Sequence, residues 1–229
     1  MSDEHAAGEH AAGEHAAGER AQLRTGAGAL DTPLDDPQAA LLLRLLDELA
    51  QWNQAYNLTA ITDRAAMVTQ HLLDSLAGSR FVTGVRVLDL GTGAGFPGLP
   101  LALVHPHRQF TLLDGTAKKV RFVAHAARTL GLRNVQAVHG RAGEWQPAGP
   151  CDQVLARAVA TVPELAALAH PLLRPGGQLL AWKGQRREAQ AELDALDARP
   201  GEGWSDAHIE DLQVPGLAAG RCLVRLVRG

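Results

Sequence analysis

Asp89 and Asp114 each close an apolar run, and Asp89 is followed at once by Gly91, Gly93, Gly95 and Gly98 in VLDLGTGAGFPG, residues 87–98. The glycines at 93, 95 and 98 satisfy G-x-G-x-x-G, a pattern that lets a backbone lie against a ligand without naming the ligand. The carboxylate before the loop separates the readings. Beside a pyrophosphate Asp89 would repel; beside a sulfonium or an ammonium it attracts. Asp114 ends the next apolar run, QFTLLD, where a carboxylate can accept both ribose hydroxyls of an adenosine. NAD and S-adenosylmethionine share that need, so the charge of Asp89 decides between them in favour of S-adenosylmethionine. An NAD-linked oxidoreductase is the alternative from another class.

These residues need elements to hold them. After residue 84 the rhythm is strand, turn, helix: RVLDLG, GLPLALVH, QFTLLD, AKKVRFVAHAARTLG, NVQAVHG, CDQVLARAV, VPELAALAHPLL and RPGGQLLAWKG, with HIEDLQVPG and RCLVRLVRG as a terminal hairpin. Alternation of this kind predicts an α/β fold with a doubly wound, largely parallel sheet whose ligands sit at the carboxyl ends of the strands. Ahead of it, Asp36-Pro37 starts a helix in which Leu41, Leu42, Leu45, Leu46, Leu49 and Trp52 recur at helical spacing. Asp63 then caps a second helix through RAAMVTQHLLDSLAG, with His71 and Asp74 three apart on one face. The expected division is a tail over 1–36, a helical cap over 37–84 and a sheet domain over 85–229.

The chain has 229 residues, of which 46% are hydrophobic, enough for one α/β core with an appendage. No apolar run has the length of a membrane span. Cys151 and Cys222 form no metal spacing and read as reduced thiols of a cytoplasmic protein. The net charge of −3 is uneven: residues 1–36 hold eight acids against two bases, which puts −6 there and +3 on the rest. A mildly basic body is compatible with RNA. The tail repeats EHAAG three times from Glu4, and a glycine in every unit with no bulky apolar group reads as disordered, low-complexity chain. Its histidines, five apart, scatter around a helix axis, so no metal site is expected.

The order acid-x-glycine-x-glycine in DLGTG is the habit of methyltransferases. QWNQAYNLTAIT, HLLDSL, VLDLGTGAGFPGLPLA, FTLLDGTAKKVRFV, ARAVA and WKGQ occur here in one order, and together they resemble the RsmG (GidB) family. Those proteins are bacterial methyltransferases of 16S ribosomal RNA that modify N7 of a guanine in the decoding region. The resemblance runs from about residue 37 to the C-terminus. It implies a class I S-adenosylmethionine-dependent methyltransferase, Rossmann-like, with an N-terminal helical cap. It places cofactor contacts at Gly91, Phe96, Ala142, Gly143 and Arg157, beside Asp89 and Gly93 from the loop itself and Asp114 at the end of the second strand.

Guanine N7 offers a lone pair and has no proton to lose, so alignment and exclusion of water matter more than a general base. Asp89 and Arg157 are the candidate positioning residues, and no catalytic triad is expected. Cations for 16S ribosomal RNA, free or in the 30S subunit, are Lys118, Lys119 and Arg121 after the second strand and Lys183, Arg186 and Arg187 after the fifth. Aromatic residues make up 4%, too few for a broad stacking platform. The expected protein is a monomer without a membrane partner. A methyltransferase acting on a small molecule or protein, and a regulator that binds the cofactor without turnover, are the other readings.

Overall fold

The computed structural model describes residues 2–197 and 203–229, without the side chains of residues 2–15 and 197. Seven strands form one sheet: β1 (Arg86–Leu90), β2 (Gln109–Asp114), β3 (Val135–His139), β4 (Cys151–Arg157), β5 (Leu173–Lys183), β6 (Trp204–Asp211) and β7 (Cys222–Arg228). Their order is β3-β2-β1-β4-β5-β7-β6. The first five pair in parallel, and β7 joins β5 antiparallel with β6 outside it. The expected parallel sheet with a terminal hairpin is therefore present. The order reverses between β1 and β4, the switch point at which such sheets leave a crevice for ligands.

Register decides which residues share that crevice. Leu90 pairs with Leu113 on β2 and Ala156 on β4, so Asp114 and Arg157 each lie one residue beyond it at the same edge. Arg157 pairs with Trp182, and Lys183 with Cys222. Because β7 runs the other way, its preceding residue, Arg221, is delivered to the edge where β4 and β5 end.

Alternation along the strands supplies two cores. Val87, Phe110, Leu112, Leu155 and Leu180 belong to the cluster shared with the cap. Leu88, Leu90, Val154, Ala156, Leu179 and Ala181 belong to the cluster on the opposite face. That second face is covered by α7 (Val162–Ala169) and α8 (Arg186–Asp197). By the same period Asp89 projects on the side of Val87, toward α5 (Gly98–Val104), α6 (Ala117–Thr129) and the cap.

The sequence places the N-cap of the first cap helix at Asp36; the structure places it one residue earlier, at Asp35. Asp35 accepts from Gln38 N while the Gln38 side chain accepts from Asp35 N, a capping box ahead of α2 (Asp36–Tyr56). Leu42, Leu45, Leu46 and Leu49 are fully buried. Asp63 accepts from Ala66 N at 2.8 Å, as expected of a cap. The helix that follows is not continuous: α3 (Arg64–Met67) passes into a π-helical turn, Val68–Leu73, before α4 (Asp74–Leu76).

One further sequence expectation does not hold, and one helix was not anticipated. The tail over 1–36 is not disordered chain: α1 spans Ser2–Ala29. Glycines in the repeat disfavour a helix locally, but the following segment has what the repeat lacks. Leu23 and Ala27, one turn apart, are fully buried in the cap cluster, and Glu19 pairs with Arg64 at 2.9 Å. Tertiary burial outweighs propensity there. The side chains of His5, His10 and His15 lie outside the described residues, and among the described ones no group of three or more potential ligands is placed to hold a metal. The second miss is α8, whose signal is Ala189, Leu193 and Leu196 at helical spacing, all buried. Leu23→Ala is expected to cost about 2–5 kcal/mol of folding stability; an unchanged thermal midpoint would show that α1 contributes nothing to the fold.

Candidate cofactor and substrate site

The glycine loop leaves β1 and turns into α5. Gly91 has φ 68°, and a Cβ there would stand 2.8 Å from Val159 Cγ2, so both conformation and space require glycine. Gly98 is needed for a different reason: a Cβ would lie 2.5 Å from Asp89 Oδ2. That oxygen accepts from Gly98 N at 2.9 Å and from Thr92 Oγ1 at 2.6 Å. Asp89 thus ties the start of the loop to its end.

Asp89 is fully buried, and its second oxygen, Oδ1, has no hydrogen-bond partner among the described residues. Burial pushes its carboxyl up to about 6, against the downward pull of the Thr92 hydroxyl, the Gly98 N–H and the Arg157 guanidinium. A buried acceptor without a donor is costly unless a ligand supplies one. Asp114 closes β2 at 7% exposure, accepting Gly93 N at 2.9 Å on one oxygen and Thr116 N at 2.8 Å on the other. Each oxygen keeps a further lone pair. The residues present therefore fit a ligand with a cationic donor at one end and a diol near the other.

Ala142 and Gly143 lie in a turn after β3, half-buried and exposed respectively. That chain is held to β2 by Gly140 N donating to Asp114 O at 3.1 Å and by a 3.1 Å contact between His139 Nε2 and Gly115 O. Phe96 is 4% exposed and stacks on His71, with ring centroids 4.6 Å apart and planes inclined by 17°. The Arg157 guanidinium carbon is 5.6 Å from the same ring. Phe96 thus packs between the cap and β4.

The π-turn explains how Arg157 is held. Asp74 N donates to Thr69 O, five residues back, instead of Gln70 O, four back. Gln70 O accepts instead from Arg157 Nη1 at 3.0 Å. The same nitrogen donates to Asp74 Oδ2 at 2.9 Å, and Arg221 Nε donates to Asp74 Oδ1 at 2.9 Å. One carboxylate, 2% exposed, thus receives two guanidinium groups, one from the end of β4 and one from the residue ahead of β7. Trp182 Nε1 donates to Asp74 O at 3.0 Å and closes the arrangement from β5. His71 and Asp74 do not bond each other. His71 Nε2 lies 3.0 Å from Thr59 Oγ1, and burial, helped by Arg157, lowers the imidazole to about 4, so it is neutral near pH 7.

The six cations expected on RNA have divergent surroundings. Lys118 donates to Tyr56 O at 2.7 Å, and Lys119 lies 3.9 Å from Asp114. Lys183 turns inward, 2.7 Å from Glu192, and donates to Ala160 O at 2.6 Å. Arg186 faces Asp211 at 3.2 Å and Ile209 O at 2.9 Å. Arg121 and Arg187 are exposed. Sequence reasoning missed Arg221. Its partner Asp74 is 147 positions away, so no local pattern links them.

Comparison with known proteins agrees with this architecture. The profile of the GidB family, described as rRNA small subunit methyltransferase G, matches residues 38–212. A ribosomal RNA small subunit methyltransferase G of Methylococcus capsulatus is 48% identical over 204 residues, covering 89% of this chain and 96% of the relative. One from Marinobacter nauticus is 42% identical, covering 90% and 94%. Among solved structures, the O-methyltransferase TomG of Streptomyces achromogenes, in complex with SAM, superposes with a TM-score of 0.54 at 18% identity, over 86% of this chain and 91% of that one. A SAM-dependent O-methyltransferase of Thermotoga maritima gives 0.53 at 16% identity, over 68% and 64%. Both share the fold. Among the described residues no helix is long and apolar enough to cross a membrane.

Proposed function

The chain belongs to the rRNA small subunit methyltransferase G family, and from that premise we propose that it transfers a methyl group from S-adenosylmethionine to N7 of a guanine in 16S ribosomal RNA. The observation that carries the cofactor assignment is the buried Oδ1 of Asp89 behind the glycine loop, without a partner among the described residues. S-adenosylmethionine supplies an activated methyl on a sulfonium and carries an ammonium that suits this acceptor. NAD would set a pyrophosphate against the same carboxylate.

In this reading Asp89 binds the amino-acid end of the cofactor, and Asp114 takes the ribose hydroxyls on its remaining lone pairs. The backbone at Gly91, Gly93, Ala142 and Gly143 forms the walls. Arg157, fixed by Asp74 and Gln70 O, orients the edge of the pocket facing the acceptor. The reaction needs no general base, because the acceptor nitrogen has no proton to lose. Positioning then carries the rate. In this reading the enzyme acts in the cytoplasm as a monomer; its two cysteines, buried free thiols, suit a reducing compartment.

Incubation with methyl-labelled S-adenosylmethionine and 30S subunits or 16S ribosomal RNA, followed by mapping of the modified base, tests the proposal. Label at a guanine N7 is expected; label on a protein or small molecule, or binding of NAD in its place, would replace it. Asp114→Ala removes two charged acceptors and should weaken cofactor binding by roughly 10- to 100-fold in calorimetry. Unchanged affinity would remove the ribose assignment.

A further inference from the structure

A cleft of ≈ 310 Å³ opens beside Phe96, between the π-turn and the ends of β4 and β5, lined by Gln70, His71, Asp74, Arg157, Lys183 and Arg221 among others. Its volume is at the lower end for a pocket that takes a small ligand. Two of its residues, His71 and Arg157, also back Phe96 on the glycine loop, so the cleft adjoins the place where the methyl donor is read to lie.

Its charges do not cancel. Its lining holds three cations, Arg157, Lys183 and Arg221, and a single carboxylate, Asp74. Lys183 is neutralised from outside the cleft by Glu192, and His71 is neutral. One positive charge is left over. Of the two arginines on Asp74, Arg157 has a side chain 17% exposed and spends Nη1 on two acceptors. The side chain of Arg221 is 28% exposed, and among the described residues its Nε alone is engaged, so the two terminal nitrogens stay available. Arg221 also lines a second hollow of ≈ 430 Å³ beside Arg186 and Arg187, and no other residue lines both. It therefore stands between an outer, arginine-bearing groove and the inner cleft.

We infer that this cleft receives the acceptor nucleotide, with Arg221 gripping its phosphate and Asp74 acting as the positioning residue that aims the guanidinium. The inference rests on the RNA-methyltransferase reading above and names the contact that the six sequence-picked cations did not include. A guanidinium held at Nε by a carboxylate presents its outer pair of N–H groups in a fixed fork, the geometry that suits two phosphate oxygens. One surplus charge matches the single negative charge of a phosphodiester. Placing the cation on the phosphate also keeps it off the purine, where positive charge builds as N7 is methylated.

The test compares wild type, Arg221→Ala and Arg221→Lys on unmodified 30S subunits, with RNA binding measured across a salt series and S-adenosylmethionine binding by calorimetry. Loss of one phosphate contact should flatten the slope of log affinity against log salt by about 0.7–0.9 in Arg221→Ala. The KM for 30S subunits should rise about tenfold, with cofactor affinity unchanged and the lysine variant keeping the slope. A wild type that modifies RNA while Arg221→Ala keeps its slope and KM overturns the inference alone. Matched losses of cofactor affinity in Arg221→Ala overturn it as well, by showing a structural role. A wild type that modifies no ribosomal RNA overturns the functional reading itself.

Discussion

Asp89→Asn is expected to weaken S-adenosylmethionine binding by roughly 10- to 100-fold while leaving the ligand-free protein at least as stable as the parent. Both halves come from one atom. Oδ2 is satisfied by Thr92 and Gly98, and an asparagine oxygen can keep those bonds. Oδ1 has no partner, and asparagine replaces it with a neutral amide nitrogen that cannot accept a bond from an ammonium. The carboxyl rises to about 6 in the fold because burial penalises the charged form. The folded state therefore holds its proton more tightly than the unfolded chain does. The penalty is absent at low pH, grows as pH rises from the ordinary carboxylate range, and is complete above about 6. Its size is about 3 kcal/mol, which the variant escapes. Binding should follow the opposite course in the parent. Affinity falls as pH drops through about 6, approaching tenfold per pH unit, because the ammonium then meets a neutral carboxyl. Calorimetry between pH 5 and 8, a range of about three units, checks this, and the variant should lack the step. Parent and variant with equal affinities at pH 8 would end the assignment of Asp89 to the ammonium.

Asp74→Ala should cost about 3 kcal/mol of stability, or roughly 6–12 °C in the thermal midpoint. Removal of this carboxylate leaves Arg157 and Arg221 facing each other without their shared counter-charge. Each guanidinium is mostly covered, so water replaces little of what is lost. Because Arg157 also loses one of its two anchors, turnover should fall further than the loss of folded protein explains. Asp74→Asn keeps the shape and an acceptor oxygen, and should recover part of the stability with less of the activity. A midpoint for Asp74→Ala within a degree or so of the parent would show that the pair is solvated and holds nothing.

The amino-acid order alone determined the sheet, the helix starts and the two acids at the strand ends. Each of these is a short-range matter. The apolar runs that make β1 and β2 are contiguous, Asp63 caps its helix through Ala66 three residues on, and Asp89 needs only the following turn to meet Thr92 and Gly98. The sequence places the cap of α2 at Asp36, and it falls on the neighbouring Asp35. The outermost helix was illegible because glycine and alanine in the repeat say nothing of Leu23, whose value depends on a groove in the cap. Lys183 looks, in sequence, like a cation free for RNA; only the fold brings Glu192 against it. The π-register of Val68–Leu73 was equally hidden, since it is stabilised by an arginine 87 positions downstream that takes the bypassed carbonyl. Asp74 had a visible neighbour in His71, yet its real partners come from β4 and from the residue ahead of β7. Local spacing specifies where a charge sits on its own element. Which charge meets it in the folded chain depends on strand order and register, and the antiparallel turn of β7 is what carries Arg221 back to the edge where the chemistry is done.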